Sequence, residues 1–148
     1  MPRVWRIVKA RHAGRAFDGE GARRTGGRWN GKGVAVVYTA ESASLALLEI
    51  LVHVGASSLL PSYSLIAAEV DEELVERLDE ADLPAAWRSS PPPPALQLLG
   101  DEWVASSRSA VLAVPSVVVP WETNYLLNPA HPDFARVVVE RPRRLDLD

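Results

Sequence analysis

The order of apolar and polar positions along the chain predicts several strands. Val4 to Val8 alternates between apolar and other residues, as a half-buried strand does, and Val34 to Tyr38 is a short apolar run typical of a buried strand. The same criteria predict further strands at Ser62–Val70, at Val111–Val119 with an interruption at Pro115, and at Ala135–Glu140. The chain is therefore expected to contain a sheet.

Apolar residues at helical spacing predict two main helices. One begins at a cap provided by Thr39 or Ser42, runs to about His53 and ends at Gly55. The other spans Ala95–Ser107, and its core-facing positions are expected to be Leu96, Leu99, Trp103 and Val104. The acidic stretch Asp71–Asp82 fits a short exposed helix.

Three stretches show neither the alternation of a strand nor the spacing of a helix, and they are predicted to be loops. They are the Gly- and Arg-rich segment Ala13–Gly27, the proline tract Ser89–Pro94, and Trp121–Pro132 with its Asn128-Pro129 turn signal. Strands mixed with a few helices indicate an α+β protein. The 148 residues suit one domain, 1–148, with a core of its own.

Composition narrows the classes of function. The absence of cysteine excludes disulfides and thiolate metal sites, and it fits a reducing compartment, so a cytoplasmic location is expected. No stretch resembles a signal peptide or a membrane span, so no membrane association is expected. Basic residues cluster in the first third, where they could hold an anion, but the net charge of −3 and the acidic middle argue against direct nucleic-acid binding.

Glu49 is the residue that most needs an explanation, because it is a lone carboxylate inside the apolar run Leu45–Val52. Burying an unpaired charge is costly, so such a residue is either paired in the fold or kept for chemistry. A structural pair with His53, or with an arginine, is as well supported by the spacing as a catalytic role.

Three other residues are candidates for a site, each with a structural alternative. Arg28 follows two glycines, which let the backbone approach a ligand closely, and its planar fork suits phosphate or carboxylate. It could equally lie in solvent or pair with Glu20 or Glu41. Tyr38 ends a strand, where it could stack on a ligand ring or fill the core. Ser116 follows the irregularity at Pro115, and the chain has no Gly-x-Ser-x-Gly elbow for a nucleophilic serine.

Metal and dinucleotide motifs are missing from the sequence. The three histidines share no ligand spacing, so no metal is expected. The Gly-x-Gly steps at residues 19–21 and 31–33 lack the third glycine and the strand-to-helix setting of a dinucleotide fingerprint. Any nucleotide would be held in another way.

Taken together, a series of short motifs resembles the RES-domain family, which is named for an arginine, a glutamate and a serine. The motifs are Gly27-Arg28-Trp29-Asn30, Val37-Tyr38-Thr39-Ala40-Glu41-Ser42, Leu47-Leu48-Glu49, Val114-Pro115-Ser116, and Asn124-Tyr125-Leu126-Leu127-Asn128-Pro129 followed by His131. They occur in the family's order and span nearly the whole chain.

The resemblance implies a fold, a substrate and a partner. The fold would be ADP-ribosyltransferase-like, with a split, mixed β-sheet core and surrounding helices. The protein would be the toxin of a bacterial type II toxin-antitoxin pair that degrades NAD by hydrolysis or phosphorolysis, with NAD as substrate and no other cofactor. Its partner would be an Xre-type helix-turn-helix antitoxin that covers the active-site cleft, with a homodimer of the toxin as an option within that complex.

The resemblance also implies roles for individual residues. Glu49 would be the catalytic carboxylate, Arg28 would bind the NAD phosphates or ribose, Tyr38 would pack beside the nicotinamide, and Ser116 would help to position the nicotinamide ribose. Asn128 would contact NAD as well, although its Asn-Pro turn could instead only shape the cleft wall, and the same holds for His131.

The chemistry of Glu49 can be argued without the family. Breaking the bond between nicotinamide and ribose passes through an oxocarbenium-like sugar, whose positive charge a carboxylate stabilises. Nicotinamide leaves as a neutral ring, so no general acid is required. Two alternatives to NAD degradation stay open: transfer of ADP-ribose to a specific protein, and a non-catalytic interaction module in which Glu49 is a structural tie.

Overall fold

The computed structural model describes residues 2–54 and 62–146, without the side chain of Val54. The strands are β1 (Arg3–Lys9), β2 (Val37–Ala40), β3 (Tyr63–Glu69), β4 (Val75–Arg77), β5 (Val111–Pro115), β6 (Thr123–Leu127), β7 (Val138–Val139) and β8 (Arg143–Leu145). The α-helices are α1 (Glu20–Thr25), α2 (Ala43–Val54) and α3 (Pro94–Ser106). Within these residues no helix combines the length and the apolar character that crossing a membrane requires.

The strands form one continuous mixed sheet in the part of the chain that the structure describes, not the split sheet that the family resemblance implies. In the described residues it has eight strands in the order β4-β5-β6-β2-β1-β3-β7, and β8 also pairs with β3. The β4–β5 pair is parallel, whereas the other pairs are antiparallel. Helices and strands are thus mixed as the sequence predicts, and the α+β fold class is confirmed.

The two faces of the sheet are covered differently. On one face, Val4, Val37, Ala113 and Leu127 belong to a single apolar cluster that Phe17 and Phe134 help to cover. The opposite face carries two separate clusters. The first, which we call the tryptophan cluster, consists of Trp29, Val36, Trp87, Leu96, Trp103, Leu112, Val114 and Leu126. The second, which we call the α2 cluster, consists of Ile7, Ala40, Leu45, Ala46 and Tyr63.

Side chains of β6 show how this second face is built. Leu126 pairs with Tyr38 of β2 and with Leu112 of β5, and Asn124 pairs with Ala40 of β2 and with Val114 of β5. Because directly paired residues point to the same side of a sheet, the rows at Leu126 and Asn124 face the same way. The Asn124 row therefore lies at the border of the two clusters.

Several predicted elements are confirmed. β1 and β3 match the predicted strands at Val4–Val8 and Ser62–Val70. Helix α2 begins after Ser42, whose hydroxyl oxygen accepts the N–H of Leu45 at 3.0 Å, and the predicted stop at Gly55 falls outside the described residues. In α3, Leu96 and Trp103 are fully buried, as predicted from their spacing.

The largest error of the sequence-based prediction is the loop at Trp121–Pro132, because this stretch contains β6, an internal strand of the sheet. The turn residues Pro120 and Asn128-Pro129 dominate the local pattern, whereas the strand is fixed by pairing with β5 and β2 on both sides. Tertiary pairing overrides the weak local preference here.

The predictions for three other stretches are also corrected. The predicted helix Asp71–Asp82 is instead β4 between two 3-10 turns, because Asp71 and Asp79 bind the N–H groups of Glu73 and Ala81. The predicted loop Ala13–Gly27 contains α1, bounded by Gly19 and Gly26 with φ of 74° each. The last predicted strand is reduced to β7, preceded by a 3-10 helix at Pro132–Arg136.

Candidate functional site

Glu49 extends from α2 to the border between the two clusters, where two neutral donors hold its carboxylate. The Ser116 hydroxyl donates to Oε2 at 2.8 Å, and the Asn124 side-chain amide donates to Oε1 at 3.0 Å. Asn124 also donates to the carbonyl of Thr39, at 3.3 Å, which fixes its amide against β2. Each carboxylate oxygen thus has one fixed donor, so the plane of the carboxylate is set.

The Ser116 side chain is oriented by a tight turn between β5 and β6. Its oxygen accepts the N–H groups of Val118 and Val119, both at 3.2 Å, and its own N–H donates to the carbonyl of Glu122 at 2.9 Å. Ser116 is completely buried. With its oxygen accepting two bonds, the hydroxyl proton is directed at Glu49, so Ser116 positions the carboxylate and is not built as a nucleophile.

Opposing effects set the protonation of Glu49. Burial raises the pKa of Glu49 above its ordinary value, the hydrogen bonds from Asn124 and Ser116 lower it, and the nearby charge of Glu122 raises it slightly. The net shift is upward. No cation pairs with Glu49 in the described part of the chain, and His53, the pairing partner considered from the sequence, is exposed.

Tyr38 lies next along the sheet, one row away from Asn124. Its hydroxyl donates to Oδ1 of Asn30 at 2.6 Å and accepts the N–H of Trp29 at 3.0 Å. Burial raises the pKa of Tyr38 well above its usual range. The hydroxyl is therefore committed to the fold, and only the ring of Tyr38 is available to a ligand.

The loop that carries Arg28 is built around the Tyr38 hydroxyl. A Cβ on Gly27 would lie 2.7 Å from that oxygen, so a residue with a side chain does not fit there. Asn30 is fully buried and its amide donates to the carbonyls of Ala22, Gly31 and Val34. The glycine predicted to allow close approach of a ligand thus allows close approach of Tyr38.

Arg28 itself is half-buried and is held by backbone carbonyls. Its Nη1 donates to the carbonyls of Trp87 at 2.9 Å and Ser89 at 3.0 Å. Burial lowers the pKa of Arg28 and the Tyr38 oxygen raises it slightly, but a guanidinium stays charged near neutral pH. No carboxylate pairs with it among residues 2–54 and 62–146, so the pairing with Glu20 or Glu41 considered from the sequence is not observed there.

The predicted site residues divide into two groups. Glu49 and Ser116 are in direct contact, and Tyr38 and Arg28 lie along the same face of the sheet. Asn128 lies elsewhere, because it follows the opposite end of β6 from Asn124. It is buried in a turn where its Oδ1 accepts the N–H of Ala130 at 3.0 Å and its amide donates to Val104.

The side chain of His131, like that of Asn128, is hydrogen-bonded to the backbone of neighbouring segments. Its Nδ1 accepts the N–H of Asp133, and its Nε2 contacts the carbonyl of Ser107 at 2.9 Å. Both side chains are therefore engaged in hydrogen bonds that hold the Asn-Pro turn and its neighbours, and a contact of Asn128 with NAD stays a prediction. In the part of the chain that the structure describes, no group of three or more His, Cys, Asp or Glu side chains is arranged to hold a metal ion.

Sequence reasoning missed Asn124 and Asn30 as members of this site. Both belong to motifs that carry the family resemblance, but neither has a reactive group that would draw attention to it. Asn124 was also placed in a predicted loop, so its register opposite Ala40 was not foreseen. Predicting β6 as a strand would have placed Asn124 beside Thr39 and the start of α2.

Comparison with known proteins identifies the class of fold and then the family. The chain aligns with the solved structure of the toxin-antitoxin complex MbcT-MbcA of M. tuberculosis, with a TM-score of 0.80 and 20% identity over 97% of this chain and 83% of that one. The chain therefore has the same fold as the matched chain of that complex. The RES domain model matches residues 3–148. The chain belongs to the RES domain family.

Two curated relatives are similar over most of their length. A protein described as Toxin Res, from Yersinia enterocolitica, is 44% identical over 131 residues, which is 88% of this chain and 86% of that protein. A protein described as Prs ADP-ribosylating toxin, from a Sphingobium species, is 41% identical over 145 residues, which is 95% of this chain and 90% of that protein.

Proposed function

We propose that this protein is the toxin of a toxin-antitoxin pair and that it consumes NAD by cleaving the bond between nicotinamide and ribose. The observation that carries the proposal is the carboxylate of Glu49, partly buried, unpaired with any cation in the described residues, and fixed by Ser116 and Asn124. Membership of the RES domain family and the relatives described as Toxin Res support the toxin role.

Glu49 fits the demands of this reaction. As nicotinamide departs, positive charge develops on the ribose carbon and ring oxygen, and a nearby carboxylate stabilises it. The two donors lower the pKa of Glu49 against the effect of burial, which favours the ionised form that the reaction needs. Because the donors are neutral, they orient the carboxylate without cancelling its charge.

The other residues would bind and orient the substrate. Arg28 is a fixed cation with donors remaining on Nε and Nη2, which suits the diphosphate of NAD. The ring of Tyr38 would pack beside the nicotinamide or its ribose, and Ser116 would act through Glu49. Holding the scissile bond close to the carboxylate accounts for much of the rate in such sites. NAD is the substrate in this scheme, and no cofactor is proposed.

The reaction is tested by identifying its products. The purified protein, freed of any partner, is incubated with NAD in the presence and absence of phosphate, and the products are followed by NMR. Nicotinamide with ADP-ribose indicates hydrolysis, and nicotinamide with the 1″-phosphate of ADP-ribose indicates phosphorolysis. Intact NAD after prolonged incubation with folded protein would contradict the proposal.

A second candidate is transfer of ADP-ribose to a specific protein. It is favoured by the 41% identity to a relative described as an ADP-ribosylating toxin. The same carboxylate would serve, because the bond that breaks is the same and only the acceptor differs. In this case NAD loss by the protein alone is slow, and label from NAD appears on one band when cell lysate is added.

The partner proposed for this chain is an antitoxin protein. The structural match is to a chain from a toxin-antitoxin complex, which supports a partner of that kind. An Xre-type helix-turn-helix antitoxin that covers the cleft, and a homodimer of the toxin within the complex, stay predictions from the family resemblance. Co-expression with a candidate Xre-type antitoxin, followed by size-exclusion chromatography, tests whether a complex forms and whether it holds two copies of the toxin.

A further inference from the structure

Arg88 lies in the sequence between Trp87 and Ser89, the two residues whose backbone carbonyls hold Arg28. Nη1 of Arg28 donates to Trp87 on one side of Arg88 and to Ser89 on the other. The side chain of Arg88 is exposed, and its Nε donates to the carbonyl of Val117 at 3.1 Å. One three-residue segment therefore positions two guanidinium groups.

The contact with Val117 brings Arg88 to the turn that carries Ser116. Val117 directly follows Ser116, whose hydroxyl is 2.8 Å from Glu49. Val117 also packs against the tryptophan cluster, to which Trp87 belongs. The segment at 87–89 thus links the Arg28 loop to the turn that carries Ser116.

Neither arginine is neutralised by a carboxylate in the described ranges. Seven other arginines pair with Asp or Glu side chains within 4 Å, namely Arg3, Arg23, Arg77, Arg108, Arg136, Arg143 and Arg144. Arg28 and Arg88 instead contact only carbonyl oxygens there. Carbonyls orient a guanidinium while leaving its full charge and its other N–H donors for an anion.

We propose that Arg88 is a second anion-binding residue, which holds the diphosphate of the dinucleotide together with Arg28. The inference rests on the proposed function for the identity of the anion. A diphosphate has oxygens on two phosphorus atoms, and two forked guanidinium groups match it better than one. The diphosphate is attached to the same ribose whose bond to nicotinamide faces Glu49, so its cationic site belongs beside the Ser116 turn.

The test is a binding measurement with ADP-ribose, which contains the diphosphate but lacks the scissile bond. Isothermal titration compares the wild type with Arg88→Gln, Arg88→Lys and Arg141→Gln. Arg141 is an exposed arginine between β7 and β8, far from β5 in the strand order, so it controls for the loss of one positive charge. The melting temperature of each free variant reports on folding.

We expect Arg88→Gln to weaken ADP-ribose binding about tenfold, as for loss of a charge-assisted hydrogen bond. Arg88→Lys is expected to retain part of the affinity, Arg141→Gln to retain all of it, and all melting temperatures to stay close to that of the wild type. Binding by Arg88→Gln within about twofold of the wild type, or an equal loss in Arg141→Gln, overturns the inference.

Nicotinamide release from NAD is measured on the same samples, so that the proposed reaction and the proposed role of Arg88 are tested independently. If the wild type releases nicotinamide but Arg88→Gln binds ADP-ribose normally, only the role of Arg88 is wrong. If the wild type binds ADP-ribose through Arg88 but releases no nicotinamide, the proposed reaction is wrong and the anion site stands. A wild type that does neither overturns both.

Discussion

Glu49 is held in place by neutral donors, and this separates it from a structural ion pair. A carboxylate that served only the fold would be expected to have a cation beside it, because an unpaired buried charge lowers stability. Here Ser116 and Asn124 each supply one hydrogen bond, and the carboxylate keeps its negative charge for a ligand. The same donors make its ionisation sensitive to single substitutions.

Replacing Asn124 by alanine is expected to shift the pH dependence of activity. Asn124 lowers the pKa of Glu49, so its loss raises that pKa further. Because the proposed reaction requires the ionised carboxylate, we expect the acidic limb of the pH–rate profile to move to higher pH. Nicotinamide release measured across the acidic and neutral range checks this, and an unmoved limb would show that Asn124 does not act through Glu49.

Glu49→Gln is expected to change how stability depends on pH. In the wild type the folded state holds the Glu49 proton more tightly than the unfolded state, whose pKa is near the ordinary 4.5. The contribution of this group to stability is therefore fully present below pH 4.5 and is lost as the pH rises through the raised pKa of the folded state. At neutral pH we therefore expect the variant to have a higher melting temperature than the wild type.

A non-catalytic role for Glu49 predicts the opposite result. If the carboxylate were a structural tie, Glu49→Gln would melt clearly below the wild type at neutral pH, and NAD would give no thermal shift. A neutral or higher melting temperature would mean that the carboxylate is kept at a cost to stability, as active-site residues often are.

Helix α3 positions the Arg28 loop through three contacts. The Gln97 amide donates to the carbonyl of Gly27, Asp101 accepts the N–H of Gly31, and Gly100 lies directly against the carbonyl of Trp29. A methyl group at Gly100 would lie 1.6 Å from that oxygen, which neither backbone can accommodate without moving. The packing of α3 thus determines where Arg28 is held.

Gly100→Ala is accordingly expected to destabilise the fold by about 1–3 kcal/mol or more, despite the higher helix propensity of alanine. Displacement of the loop should also raise KM for NAD. Gly14→Ala is the matched control, because a Cβ there would meet no atom within 4 Å. Chemical denaturation of both variants gives the comparison, and equal stabilities would contradict the packing of α3 against Trp29.

The elements that sequence alone predicted are those with strong local signals. Helix α2 has a serine cap and a continuous apolar run, and β3 is an apolar strand, so both were found. β4 and β6 were missed because their local sequence pattern is weak and each depends on pairing with β5. The candidate site shows the same difference. Glu49 can be identified from its local sequence, whereas the position of Asn124 depends on the register of β6 against β2.

The whole molecule presents one sheet face with two separately packed clusters, and Glu49 lies where they meet. α2 covers one cluster, and α3 with the Arg28 loop covers the other. A ligand that contacts Glu49 and Arg28 together would bridge the two. Binding of such a ligand should therefore stabilise the protein as a unit.

NAD is expected to raise the melting temperature of Glu49→Gln, in which the substrate persists. A ligand at 100 times its dissociation constant adds about 2.7 kcal/mol to the free energy of unfolding. Arg28→Gln in the same background should remove most of the shift. Differential scanning fluorimetry gives the comparison, and an equal shift with and without Arg28 would place NAD elsewhere.

The central claim is that Glu49 catalyses cleavage of NAD, and the rate of nicotinamide release tests it most directly. The wild type is compared with Glu49→Gln and with Glu102→Gln, an exposed carboxylate on α3 that serves as control. We expect Glu49→Gln to lose at least about 100-fold in rate while its melting temperature is unchanged or higher, and Glu102→Gln to match the wild type. Folded Glu49→Gln that releases nicotinamide at the wild-type rate would contradict the account.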